Sequence, residues 1–174
     1  MGIETLLIDS ITGNNAFLKV VGLDPGETTG ACVFQGPRCL HADQLRTKTV
    51  PEGAGLVRDF VNAWQPDVVV MEMYRVYSWK AEDHSWHNLH TPRLIGAIEY
   101  ICHCINLPLI QQTAQQAKGF CTDEKLSAWG IYQPGWKHAR DAIRHATYYL
   151  LFSVAKVQDA KFKPAVKPIS GGPV

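Results

Sequence analysis

Four residues of this 174-residue chain carry side chains, in settings, that suit metal-assisted hydrolysis. Asp24 closes the β-branched apolar run VVGLD and opens the small, hydroxylated turn PGETTG. Glu72 stands inside DVVVMEMY, an otherwise apolar stretch. His138 and Asp141, in KHARDAIRHA, are three residues apart and share one helical face. A carboxylate buried without a partner is strongly disfavoured, so Glu72 calls for a cation or a hydrogen-bonding neighbour. Acids brought together from separate elements repel one another unless a metal neutralises them. Mg²⁺ prefers carboxylates and water, and two such ions about 4 Å apart can clamp the attacking and leaving oxygens of a phosphodiester. Each residue alone has an ordinary reading too. Glu72 could pair with Arg75, and His138 with Asp141 could cap or solvate a helix. Their combination with the Asp24 turn favours the metal reading.

The elements that must position these residues follow from periodicity. FLKVVGLD (17–24) and ACVF (31–34) flank the turn as an antiparallel pair, and residues 38–43 suit a third strand. VRDFVNAW (57–64) has helical spacing and stops before Gln65-Pro66. DVVVMEMY (67–74) has the continuous apolar character of a strand covered on both faces. Pro92 can start a helix that LIGAIEYICHCI (94–105) continues, and Pro108 to Ile110 suit a short strand. One or two helices cover TAQQAK and TDEKLSAWG, and His138 to Val154 form the last strong helix, with Ala142, His145, Ala146, Tyr149 and Leu150 on its apolar stripe. The order predicts a mixed α/β sheet with helices on its faces. Residues 1–15 read as an N-terminal appendage, 16–156 as the folded domain and 157–174 as a disordered tail.

Composition narrows the function. Hydrophobic content of 46% and charged content of 19% describe a folded soluble protein, and the length suits one domain. A net charge of +1 announces no nucleic-acid partner globally, although Lys and Arg dominate after Lys125 and leave room for a local basic face. Five cysteines (32, 39, 102, 104 and 121) include no CxxC pair, which points to free thiols in a reducing compartment. No apolar run approaches the roughly 20 residues of a membrane span. The expected setting is cytoplasmic, without membrane association.

GLDPGETTG resembles the first-strand motif of RuvC-type Holliday junction resolvases, within the RNase H-like superfamily. DVVVMEMY resembles their strand bearing the catalytic glutamate, and HARDAIRHA their final helix, with its acid-or-histidine, two residues, aspartate pattern. The resemblance runs in order from about residue 17 to 154. It implies an RNase H-like mixed five-stranded sheet with helices on both faces. It further implies an endonuclease that resolves Holliday junctions and other branched DNA by two-metal-ion hydrolysis, without a covalent intermediate. Asp24, Glu72, His138 and Asp141 become the catalytic metal ligands, with Asp24 bridging two Mg²⁺ ions for which Mn²⁺ would substitute. The small turn would let a DNA backbone come close. The family also implies a homodimer, since a four-way junction offers two symmetric strands to cut. Lys118, in QQAK, falls near a basic residue that the family places beside its site. KAEDHSWHNLHTPR and residues 122–136 depart from the cellular bacterial enzymes, so a divergent, viral member acting in host cytoplasm is the expectation.

Further candidates surround the acids. Tyr74, Tyr77, Trp79 and Trp86 could stack on unpaired bases or serve as core. Arg75, Lys80, Lys137, Arg140 and Arg144 could hold phosphates, with a solvated face as the alternative for Arg144. His84, His87 and His90 drift about 60° per step on a helix, which disfavours a zinc site. Cys102-His103-Cys104 is expected in the core. Rivals to the junction nuclease are an RNA–DNA hybrid or genome-packaging nuclease on the same fold, an actin-like ATPase for which the chain is too short, and a non-catalytic junction-binding module.

Overall fold

The computed structural model of the chain describes residues 17–74 and 89–152. The elements are β1 (Lys19–Asp24), β2 (Thr28–Gln35), β3 (Arg38–Arg46), α1 (Val50–Trp64), β4 (Val68–Glu72), α2 (His90–Cys104), β5 (Leu109–Gln112), α3 (Ala114–Phe120), α4 (Asp123–Ala128) and α5 (Lys137–Phe152). The five strands make one sheet in the order β3-β2-β1-β4-β5. β1, β2 and β3 are antiparallel neighbours, whereas β4 and β5 run parallel to β1. This is the mixed five-stranded sheet expected from the sequence.

Strand alternation divides the core into two layers. Val20, Cys32, Phe34, Val68 and Val70 pack beneath α5 with Ala142, Ile143, Ala146 and Leu150. Val21, Leu23, Ala31, Val33, Val69 and Met71 pack on the other side with Val57 and Val61 of α1 and Leu94, Ile95 and Ile98 of α2. Helices therefore cover both faces. The central strands are apolar on consecutive residues because both of their faces are dry.

Boundaries moved where capping and pairing outweighed periodicity. α1 starts seven residues before Val57, because the Thr49 hydroxyl accepts from the Glu52 amide and Pro51 sits in the first turn. It ends at Gln65, whose left-handed φ of 46° precedes Pro66. β2 starts at Thr28 rather than Ala31, since both turn threonines pair with Arg46 and Leu45 of a longer β3. Of the Cys102-His103-Cys104 trio only Cys102 is buried; Cys104 is exposed, as consecutive helical residues must point apart. All five cysteines are free thiols. Among the described residues no helix is long and apolar enough to cross a membrane. The predicted appendage and tail lie outside the described residues.

Candidate active site

Register places the carboxylates. Gly22 of β1 lies opposite Val70 of β4, so Asp24 and Glu72, two residues further along each strand, end adjacent parallel strands on the same face. Glu72 in turn pairs with Gln112 of β5. Three polar side chains thus stand in a row at the carboxyl ends of three parallel strands, where open α/β sheets commonly bind ligands. α5 crosses this face and brings His138, Asp141 and His145 to them.

Two glycines let the helix come this close. A Cβ on Gly30, which lies opposite Asp24, would meet the His138 carbonyl oxygen at 1.9 Å. A Cβ on Gly22 would meet the Ala142 carbonyl at 2.5 Å. The second glycine of the turn motif is therefore needed for helix packing, a different reason from the approach of a DNA backbone suggested by the sequence. Gln44 of β3 also anchors the helix start, its Oε1 accepting from the His138 amide at 3.0 Å. Thr29 of the turn and Thr47, just past β3, brace Gly26. Both donate to its carbonyl, and their hydroxyls lie 3.0 Å apart. A rigid turn thus follows the aspartate.

At the site His138 Nδ1 lies 2.9 Å from Asp24 Oδ2. Lys118 Nζ, on α3, bridges Glu72 Oε2 at 3.0 Å and Asp141 Oδ2 at 3.1 Å. Burial pushes the Asp24 carboxyl above its ordinary range; the His138 hydrogen bond opposes this, and the charges of Asp141 and Glu72 add to it. Burial acts in the same direction on Glu72, but hydrogen bonds from His145 and Lys118, with the Lys118 charge, outweigh it and hold Glu72 low. Lys118 itself is raised: burial would lower it, and the two neighbouring carboxylates more than compensate.

Three carboxylates and an imidazole make a donor set suited to a hard divalent cation. Among the described residues no three His, Cys, Asp or Glu side chains converge tightly enough to cage an ion unaided. The Lys118 ammonium bridging Glu72 and Asp141 is a stand-in for positive charge at this place. Asp24, Glu72, Asp141 and His138 would hold such a cation only with further oxygens from outside the chain.

The remaining sequence candidates are spread out. Lys137 is exposed at the start of α5. Arg140 lies with its guanidinium 4.9 Å from the Tyr132 ring and donates to the Gln133 carbonyl at 2.8 Å. Arg144 is neither solvated nor turned outward. It donates to the Cys121 carbonyl, Asp141 and Asp123, so its side chain fixes Asp141 from behind. Tyr74 packs in the layer of α1 and α2. Arg75, Tyr77, Trp79, Lys80, His84, Trp86 and His87 lie outside the described residues. Among the described residues Glu72 pairs with Lys118 and His145.

His145 is the site residue that sequence reasoning missed. It was placed on the apolar stripe, and it is fully buried there, but its Nε2 lies 3.3 Å from Glu72 Oε2. Its spacing of four from Asp141 was the available signal, since i and i+4 share a face. Gln112 and Gln44 gave no signal, being unremarkable polar residues in strands.

No family model matches the chain, and no curated protein does. Solved structures are similar in fold. Thermus thermophilus RuvC in complex with a Holliday junction substrate superposes with a TM-score of 0.64 at 18% identity, covering 80% of this chain and 96% of that one. A further structure of the same protein gives 0.60 at 18% identity, covering 81% and 97%. The yeast mitochondrial Holliday junction resolvase Ydc2 gives 0.56 at 14% identity, covering 90% and 87%. The chain therefore has the RNase H-like fold of RuvC-type resolvases.

Proposed function

We propose that this protein is a Mg²⁺-dependent endonuclease that resolves four-way DNA junctions by hydrolysis. The observation that carries the reading is the convergence of Asp24, Glu72, Asp141 and His138 at the strand ends of a fold shared with Holliday junction resolvases. Asp24, Glu72 and Asp141 would offer anionic oxygens, and His138 a neutral nitrogen, to a pair of ions for which Mn²⁺ would substitute. When bound, such a pair supplies an activated water and charge stabilisation at the leaving oxygen. Lys118 would release its carboxylates and turn to a phosphate oxygen, because an ammonium and a divalent ion compete for the same acids. Arg144 would hold Asp141 in place, while Lys137 at the rim and Arg140 beside it would meet the backbone of the DNA. Two copies related by a two-fold axis would match the two symmetric strands of the junction.

The test is incubation of the full chain with labelled junction, linear duplex and RNA–DNA hybrid, each with Mg²⁺, with Ca²⁺ and without metal. Junction cleavage in Mg²⁺ alone, junction binding in Ca²⁺ and a dimer by light scattering are expected. Cleavage of the hybrid in preference to the junction would transfer the protein to a hybrid-specific nuclease. A monomer with equal affinity for junction and linear duplex would refute the junction reading.

A further inference from the structure

We propose that Gln112, His145 and Glu72 form a hydrogen-bonded relay that sets how Glu72 faces the metal site, with His145 as its positioning residue. His145 is held as the neutral tautomer, its Nε2–H donating to Glu72 and its Nδ1 accepting from the Gln112 amide. This assignment rests on the nuclease reading for its purpose, but the relay itself is a property of the folded chain.

The geometry is tightly specified. Glu72 and Gln112 are register partners at the ends of β4 and β5, and the Met73 amide donates to the Gln112 carbonyl at 2.7 Å, which locks the strand ends together. His145 descends from α5 between their side chains with none of its surface exposed. Its Nδ1 lies 3.1 Å from the Gln112 amide and its Nε2 lies 3.3 Å from Glu72 Oε2. The same helix buries Ala142 and Ala146 against the sheet, which holds the backbone carrying His145.

The proton positions follow from the donors and acceptors that meet at the imidazole. With Gln112 Oε1 toward the imidazole, Gln112 Nε2 is buried and finds no partner among the described residues. That orientation also demands a proton on Nδ1, while the Glu72 carboxylate demands one on Nε2, so only an imidazolium would satisfy both. A half-turn of the amide exchanges its oxygen and nitrogen without moving the side chain, and the two orientations are distinguished by the network they complete. With the amide turned, Gln112 Nε2 donates to Nδ1, its Oε1 takes the unpartnered place, and a neutral imidazole carries its one proton toward Glu72. A ligand carboxylate fixed by a histidine that is itself fixed by an amide is an outer-shell arrangement of the kind that tunes metal sites.

Nitrogen NMR on the metal-free full chain labelled at histidine reads the tautomer directly, with His145 identified by its loss in His145→Gln. A protonated Nε2 and a bare Nδ1 are expected; a protonated Nδ1 overturns the relay. Mn²⁺ alone then serves as the probe in calorimetry. His145→Leu should weaken Mn²⁺ binding by about tenfold to a hundredfold. His145→Gln, whose amide can donate to Glu72, should recover most of that loss. Unchanged Mn²⁺ affinity in His145→Leu would reduce His145 to a space-filling residue. Gln112→Leu covers the case in which position 145 does not tolerate change. It should spread the His145 proton over both nitrogens, and an unaltered tautomer would overturn the role of Gln112. A wild-type chain that binds no Mn²⁺ defeats the nuclease reading, and the tautomer then decides the relay by itself.

Discussion

Gly30→Ala tests the architecture of the site through a single methyl group. The added Cβ would lie 1.9 Å from the His138 carbonyl oxygen, 2.1 Å from its carbon and 2.8 Å from the Ala139 nitrogen. All three are backbone atoms of α5, so no side-chain rotation relieves the clash. Ordinary contact begins near 3.4 Å, and the helix start must withdraw by about 1.5 Å. Gly30 pairs with Asp24, so the withdrawal falls on the contact between Asp24 and His138, now 2.9 Å. A misplacement of about 1 Å near reacting groups is enough to lower a rate by about 10²-fold. Overpacking of this kind destabilises by about 1–3 kcal/mol, and each kcal/mol lowers Tm by roughly 2–4 °C in a domain of this size. The assay is junction cleavage in Mg²⁺ beside a thermal melt. Gly55→Ala is the control: it lies within α1 with no atom near the added methyl, and should stabilise by about 0.5–1 kcal/mol. If Gly30→Ala cleaves within about threefold of wild type and melts at the same temperature, the close helix contact is not what positions the site.

Asp24→Asn should abolish cleavage while leaving junction binding in Ca²⁺ largely intact, since affinity comes mainly from phosphate contacts. The same variant should melt higher than wild type without metal, because burial and two neighbouring acids disfavour the Asp24 charge and a neutral isostere removes that strain; a lower Tm would refute the electrostatic account. Glu72 is held below its ordinary value of 4.5, because its hydrogen bonds from His145 and Lys118 outweigh burial. Its contribution to stability is thus present above about pH 4.5 and lost as pH falls through the lower native value. Metal-free Glu72→Gln should accordingly show a shallower fall of Tm below pH 4.5 than wild type, and identical acid limbs would count against the pairing. His138→Ala should lose most cleavage and regain part of it at high Mn²⁺, whereas His138→Asp should keep it. Full activity in the alanine variant would remove His138 from the ligand set.

Periodicity, β-branched runs and turn residues were enough to assign all five strands and the order of the helices, because a strand's face alternation and a helix's 3.6-residue repeat are local properties of the chain. Asp24 at a strand end, Glu72 in an apolar run and Asp141 three residues from His138 were legible for the same reason. Pairing was not. Sequence made Glu72 an acid in need of a metal or of a partner such as Arg75, whereas the fold set Lys118 from α3 and His145 from α5 against it. Arg144 read as a phosphate-holding or solvated cation, yet the packing of α5 beside α3 and α4 turned it inward onto Asp141 and Asp123. Gly30 read as part of a turn, and only the approach of a helix more than 100 residues later revealed what its missing side chain makes room for. The sequence by itself determined which elements form and which residues end them, since these follow from neighbours along the chain. Which acid meets which cation depends on the register of parallel strands and on where a crossing helix comes to rest, and those distances exist only once the chain has folded.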